Sequence, residues 1–358
     1  MHRVSISRLW LAAFIAVLPA ANAQSLVERV QAALDAFVTE APAPGISAAI
    51  WADGKVAFEG GSGFADIKGQ RKADASMVHR TASIAKPMTA TGVMRLVERG
   101  KIDLDAEIQT YLPDFPKKEW PITIRHLLSH TSGIRHYRGL ESTTNRHFAS
   151  FAEAMTIFQG DKTAFQPGTD YLYTTYGYTV LGAIVEKASG QSFEDFMRAN
   201  VWGLAGMSST QLEVRGRDIP SKAVCYMKRQ EAEFVVALPT DLSVKYPGGG
   251  MVTVASDLLR FGHAFLEGKL VSPATRDDML AVTSVPGQKD HVYGLGWEIR
   301  SDKELGSLIS HSGGQSGTST NMAFYRDRGI GVAVLVNVSN VRMVDIARQL
   351  AKAALDGN

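Results

Sequence analysis

Ser83-Ile84-Ala85-Lys86 is the only place in the chain where a lysine follows a serine by three residues. A serine hydroxyl attacks a carbonyl well only when a neighbouring base takes its proton, and a lysine one helical turn further on shares its face. The spacing alone is equally compatible with a serine cap followed by a solvated lysine. The context adds weight to the chemistry. Met88, Gly92, Val93, Leu96 and Val97 continue a helical pattern, Gly100 is a natural stop, and Pro87 fits only a first turn, so Ser83 is expected at the helix start. There, free backbone amides and the positive end of the helix dipole favour a developing alkoxide.

Two other clusters could join it. Tyr171 to Tyr178, after the turn Phe165 to Thr169, holds four tyrosines, of which Tyr171, Tyr176 and Tyr178 read as packing residues. His311-Ser312-Gly313-Gly314 follows the apolar Leu308-Ile309, which puts an imidazole and a hydroxyl at a strand end beside glycines that let a ligand approach the backbone. Read alone, that stretch also fits a plain turn. His126 and His130 are four apart on an expected helix, a metal-binding spacing, but no glutamate follows His126 and no metal site is assigned. A G-x-S-x-G elbow is absent, which argues against the α/β-hydrolase fold. No cofactor is expected.

These residues need a scaffold. Ser25 and Glu28 read as a capping box opening a helix with the apolar face Leu26, Val30, Leu34, Phe37 and Val38, ending near Pro42. Ile46 to Trp51 and Lys55 to Gly60 read as strands joined by an Asp53-Gly54 turn. Further strands are expected at Gly294 to Arg300, Leu308 to His311, Asn321 to Tyr325 and Gly329 to Val338, and a helix at Met343 to Leu355. The middle reads as mostly helical, with loops around Thr131 to Asn145 and Glu213 to Tyr246. The economical picture is an α+β fold. One antiparallel sheet built from both termini and flanked by helices (residues 24–85 and 250–358) would carry an inserted, mostly helical domain (86–249).

In this order, Ser83-x-x-Lys86, Tyr173-x-Thr175 and His311-Ser312-Gly313 resemble the three motifs of the serine β-lactamase and penicillin-binding protein superfamily, and most of all its class C-like branch. The run Ile122 to Gly133, Gly249-Gly250-Met251, Tyr293-Gly294-Leu295-Gly296-Trp297 and the stretch from His311 to Asn337 resemble that branch too. Ile134 to Tyr137 together with Tyr173 to Tyr178 is most similar to the mitochondrial serine β-lactamase-like protein and its bacterial relatives. The resemblance implies a β-lactamase/transpeptidase-like fold and a serine hydrolase working through an acyl-enzyme on a peptide, ester or β-lactam-like carbonyl.

By the same resemblance, Ser83 is the acylated nucleophile and Lys86 and Tyr173 move its proton. The amides of Ser83 and Gly314 form the oxyanion hole, His311 is a further catalytic residue that orients the substrate or assists proton transfer, and Thr175, Ser312 and Gly313 meet the substrate. Lysine and tyrosine ordinarily titrate near pH 10, so at least one of the pair must be lowered for this to work at neutral pH. Two departures stand out. Thr175 replaces an asparagine of the class C pattern, and His311 replaces a lysine, removing a permanent cation. Esters and short peptides are therefore expected to be better substrates than β-lactams. The alternative is a non-catalytic protein of the same fold that binds penicillin or peptidoglycan.

Hydrophobic residues make up 45% and charged residues 21% of the chain, ordinary globular usage that excludes wholesale disorder and a multi-span membrane protein. The lone Cys225 excludes an internal disulfide or a multi-thiolate metal site. His2, Arg3 and Arg8 precede an apolar run, Leu9 to Ala21, and Ala21-Asn22-Ala23 has the small-x-small form of a cleavage site. Residues 1–23 are thus expected to be a signal peptide, leaving a periplasmic or secreted protein with no membrane association. The mature chain would carry 36 basic and 36 acidic residues, a balance that gives nucleic-acid binding no footprint. The expected partner is a small-molecule or peptide substrate. N-terminal sequencing of exported protein should begin at Gln24; a full-length, membrane-bound product would contradict the cleavage.

Overall fold

The computed structural model describes residues 24–40, 43–229 and 233–356; the expected leader and Pro42 lie outside them. Helix α1 (Leu26–Glu40) opens on the capping box, with the Ser25 amide donating to Glu28 at 2.8 Å and the Glu28 amide donating to Ser25 Oγ at 3.3 Å. Strands β1 (Gly45–Ala52) and β2 (Lys55–Asp66) follow, joined through Asp53 and Gly54 at φ 51° and 75°, the two left-handed residues of a tight hairpin turn. β2 runs beyond the expected end at Gly60, because Gly61 and Gly63 still pair with Ser47 and Gly45. Glycine has low strand propensity, so the residue pattern hides this extension.

The main sheet has seven strands in the order β3-β2-β1-β12-β11-β10-β9, with antiparallel pairing throughout. Its other members are β3 (Arg71–Lys72), β9 (Glu298–Asp302), β10 (Gly306–Gln315), β11 (Thr318–Tyr325) and β12 (Ile330–Val336). The two ends of the chain meet at its centre, where β1 and β12 pair from Ile46↔Val336 to Trp51↔Gly331. α1 and α10 (Met343–Leu355) cover one face over Val30, Leu34, Ile50, Val334 and Leu350. α8 (Ala255–Leu266) covers the other, so closely that a Cβ on Gly262 would overlap the Phe324 ring.

Three strand expectations shift. β9 begins only at Glu298, since the Gly294 amide bonds back to the Trp297 carbonyl at 2.9 Å and Gly296 turns at φ 88°. β10 continues past His311 to Gln315, and β11 starts earlier than Asn321, at Thr318, because the two pair as far as Gln315↔Thr318. A hydrophobic pattern could not show strand residues made of serine and glycine.

Between the sheet's halves lie α2 (Ala85–Glu98), α3 (Ile124–Leu128), α4 (Phe151–Met155), α5 (Thr175–Ser189), α6 (Phe193–Met197), α7 (Tyr246–Gly249) and α9 (Pro273–Leu280). A small sheet places β8 (Met251–Thr253) between β4 (His79–Arg80) and β5 (Gln211–Leu212). The stretch expected as a loop from Glu213 contains a hairpin, β6 (Tyr226–Lys228) with β7 (Phe234–Val236). α3 ends before His130, which sits at φ 60°, so His126 and His130 do not share a helical face. Among the described residues, no group of three or more metal-ligating side chains comes together, and no helix is long and apolar enough to cross a membrane.

Buried Asn337 locks the sheet's centre: its Oδ1 accepts from the Gly45 amide at 2.8 Å and its Nδ2 donates to the Phe64 carbonyl at 3.0 Å. Unpairing a buried polar group costs about 1–3 kcal/mol. Asn337→Ala should therefore lower unfolding free energy in urea by roughly 2–4 kcal/mol; a loss under ~0.5 kcal/mol, the usual surface range, would show that the clamp is dispensable.

Candidate active site

Ser83 lies in a 3₁₀ turn, Ala82–Ile84, that leads into α2. The preceding Ala82 is held at φ 47°, a backbone conformation that costs an alanine energy and persists only under surrounding constraint. Part of that constraint is β10. A Cβ on Gly313 would overlap Thr320 Oγ1 and stand 2.7 Å from the Thr81 carbonyl, so only glycine lets the strand lie flat against the nucleophile's turn. Gly314 faces open space instead.

One turn into α2, Lys86 is wholly buried. Its Nζ lies 3.0 Å from Ser83 Oγ, 3.2 Å from Thr175 Oγ1 and 2.9 Å from the Gly248 carbonyl oxygen. None of these partners is charged, and no described carboxylate is within ion-pair distance. A neutral amine satisfies all three, donating to Thr175 and Gly248 while its lone pair receives the Ser83 proton. Burial drives the Lys86 amine well below its ordinary value, and the charge of Lys245 pushes the same way. Tyr173 moves oppositely: desolvation raises its phenol well above its ordinary value, against a smaller lowering by Ser83. Lys86 Nζ stands 4.7 Å from the Tyr173 ring centre.

Tyr173 is placed by His130. The Leu172 amide donates to the His130 carbonyl at 2.9 Å, the Thr174 amide donates to His130 Nδ1 at 3.2 Å, and the His130 and Tyr173 rings are 4.3 Å apart. The left-handed backbone of His130 lets one residue grip both neighbours of the tyrosine. The next amide, Thr175, donates to His136 Nδ1 at 3.3 Å, while Thr174 caps α5 by accepting from the Tyr176 amide at 3.2 Å. Both imidazoles are neutral acceptors: burial holds His130 well below its ordinary value and His136 down to about 4. Tyr176 and Tyr178 are buried packing residues as expected, and Tyr171 packs on His291.

His311 is buried on β10 with both ring nitrogens engaged. Nδ1 donates to the Ser312 carbonyl at 2.7 Å, which leaves Nε2 to accept from Tyr293 Oη at 2.9 Å. Burial, followed by the charge of Lys86, lowers it to about 3. It is therefore a neutral wall of the cleft, well below the near-ordinary titration its type suggests. Ser312 Oγ accepts from Asn321 Nδ2 at 2.9 Å. The pairing of β9 with β10 ends at Ser310↔Glu298, so the edge of β10 from His311 to Gln315 faces the cleft without a strand partner.

Ser83, Tyr173, Thr175, His311, Ser312, Gly313 and Gly314 all line one cavity of about 530 Å³, with Lys86 beneath it. Among the residues that line or support the cleft, Lys245 and Tyr293 were not singled out as site residues from sequence. Lys245, just before α7, lines the cavity, donates to the Ser142 carbonyl at 2.9 Å and is lowered to about 8 by burial. Tyr293 holds His311. A lone lysine in an irregular stretch carries no spacing signal, and Tyr293 drew attention only as part of a resembling segment.

This geometry can be set beside known proteins. Residues 30–355 match the family described as Beta-lactamase. The mitochondrial serine beta-lactamase-like protein LACTB of Bos taurus is 28% identical, over 87% of this chain and 76% of its own. A penicillin-binding protein of Bacillus subtilis (strain 168) is 32% identical over 76% of this chain, which spans 64% of that relative's length. Esterase EstB of Burkholderia gladioli is 28% identical over 88% of this chain and 91% of its own. Among solved structures, the octameric penicillin-binding protein homologue of Pyrococcus abyssi is 25% identical and superposes with a TM-score of 0.79 over 92% of this chain and 77% of that one. With its antiparallel sheet, flanking helices and family match spanning nearly all the described residues, the chain belongs to the beta-lactamase family and has its serine hydrolase-type fold.

Proposed function

We propose that the protein is an exported serine hydrolase that cleaves an ester or amide through an acyl-enzyme on Ser83. The observation that carries this reading is the Lys86 amine, buried without a counter-charge 3.0 Å from the Ser83 hydroxyl. A buried lysine without a carboxylate is held neutral, and a neutral amine is a base.

Ser83 Oγ attacks the substrate carbonyl carbon as its proton passes to Lys86 Nζ. The oxyanion formed rests on the amides of Ser83 and Gly314, where each donor typically contributes about a hundred- to a thousandfold. When the bond to the leaving oxygen or nitrogen breaks, that atom takes a proton from the phenol of Tyr173, which Lys86 replenishes. Water then attacks the acyl carbon with the same pair acting in reverse, releasing the acid and restoring Ser83. Thr175 and the Gly248 carbonyl aim the amine, and His311, through Tyr293, shapes the wall against which the substrate lies.

The substrate class follows from charge. Neutral His311 offers no cation to a β-lactam carboxylate, and Thr175 offers a single hydroxyl where an amide would donate and accept. Esters and short peptide amides suit this cleft better than β-lactams, in keeping with the esterase relative.

Ser83→Ala should remove hydrolysis of p-nitrophenyl acetate by at least roughly a thousandfold and abolish labelling by a fluorophosphonate, with the fold retained. Mass spectrometry should place the wild-type adduct on the peptide containing Ser83; an adduct on Ser132 or Ser312, or none at all, would overturn the assignment. The proton pathway has its own test. Lys245→Met removes a positive charge that depresses Lys86, so the Lys86 amine should protonate at higher pH and the acid limb of kcat/KM should move to higher pH. A limb that stays in place or moves down would exclude Lys86 as the base.

A further inference from the structure

A second cavity, about 1110 Å³, opens beside the catalytic cleft and shares Thr143, Gly314, Gln315 and Ser316 with it. Most of its exposed lining is apolar, with Leu140, Phe148, Ile157, Met227 and Leu238 set among polar residues such as Thr144, Asn145 and Asn340. Leu140 is 83% and Leu238 78% exposed, a cost to a free surface that a bound apolar group would remove. The charged residues at this groove are already paired, Glu141 with Arg135 at 2.6 Å and Arg146 with Glu153 at 2.9 Å. Ser339 is also occupied, accepting from the Gly317 amide at 2.7 Å and donating to the Gln315 carbonyl at 3.3 Å. Among the described residues that line the groove, no charged side chain is left without an ion-pair partner.

The position of the groove decides which part of a substrate would enter it. The leaving group must face Lys86 and Tyr173, which supply its proton, and neither residue lines the groove. The groove meets the cleft instead at Gly314, Gln315 and Ser316, next to an amide expected in the oxyanion hole, where the group that stays on Ser83 would extend. We propose that this groove holds the apolar acyl chain of the substrate, making medium-chain acyl esters and amides the preferred class. This deepens the acyl-enzyme reading and rests on it.

Full burial of a methylene is worth roughly a three- to fourfold gain in binding. Across p-nitrophenyl acetate, butyrate, hexanoate and octanoate, kcat/KM of the wild-type protein should therefore climb by about that factor per methylene until the groove is filled. Leu140→Asp and Leu238→Asp, both at exposed positions where folding tolerates a charge, should lower the octanoate-to-acetate ratio by at least about tenfold, two to three methylenes' worth. A flat series with acetate still turned over would overturn the groove assignment and leave the hydrolase reading standing. Calorimetric binding of octanoate to Ser83→Ala protein separates the converse case. Binding that Leu140→Asp weakens, when the wild-type protein turns over no ester of the series, would support the groove and sink the hydrolase reading. No binding together with no chain-length gain would sink the proposal.

Discussion

An amine without a counter-ion, buried beneath the floor of a cleft, is the constraint around which this molecule is arranged. Removing a lysine from water costs several kcal/mol if it stays charged, and a protein that accepts such a group must give it hydrogen-bond partners or let it become neutral. Here both occur. Ser83, Thr175 and Gly248 supply three uncharged partners from three separate segments, so the side chain ties α2, α5 and α7 to one point. Thr89 and Thr179 reinforce the junction by donating to the carbonyls of Pro247 and Val244 at 2.7 and 2.8 Å. The same burial lowers the lysine and raises the neighbouring tyrosine, which separates a base from an acid without any carboxylate.

Holding that point in place is the task of the sheet. β10 can press against the Thr81-Ala82 turn only because Gly313 has no side chain, and it arrives there in register through β11 and β12, which pair back to β1 at the start of the chain. Thr320 Oγ1 donates to the Thr81 carbonyl at 2.9 Å and completes the contact. The nucleophile's turn is thus fixed from two directions, by helices through Lys86 and by strands through Gly313. The free edge of β10 is left over from this arrangement, open to a ligand.

Imidazoles replace charges throughout the cleft. His130 and His311 are buried and His136 is half-buried, all three are neutral, and each uses its nitrogens to hold a neighbour: His130 and His136 through the amides around Tyr173, His311 through Tyr293. Lysines at these places would have added positive charge around Lys86, which has no described carboxylate within ion-pair distance. The cleft instead keeps its amines to Lys86 and Lys245, and the charge of Lys245 adds to burial in favouring the neutral form of Lys86.

Much of this was legible in the residues. The Ser83-x-x-Lys86 pair is suggested by spacing, since helical geometry puts residues three apart on one face, while Tyr173 and the His311 to Gly314 segment stand out only through their resemblance to a family's motifs. The capping box at Ser25, the Asp53-Gly54 turn and the last helix are equally local, and the pairing of both chain ends in one sheet follows from where the apolar strand patterns lie. Other features depend on what happens to be nearby. The glycine-rich ends of β2 and β10 carry no hydrophobic pattern, and their pairing comes from neighbouring strands. His130 looks like one half of a metal pair until its backbone turns left-handed out of α3 and grips the tyrosine segment. His311 looks like a titratable substitute for a cation until burial and Tyr293 make it neutral. Lys245 has no motif at all, yet it enters the cleft from a distant loop. Type and spacing determine which atoms can react; only the tertiary fold, by excluding water and bringing remote groups within a few ångströms, decides which are charged, which are neutral and which face a substrate.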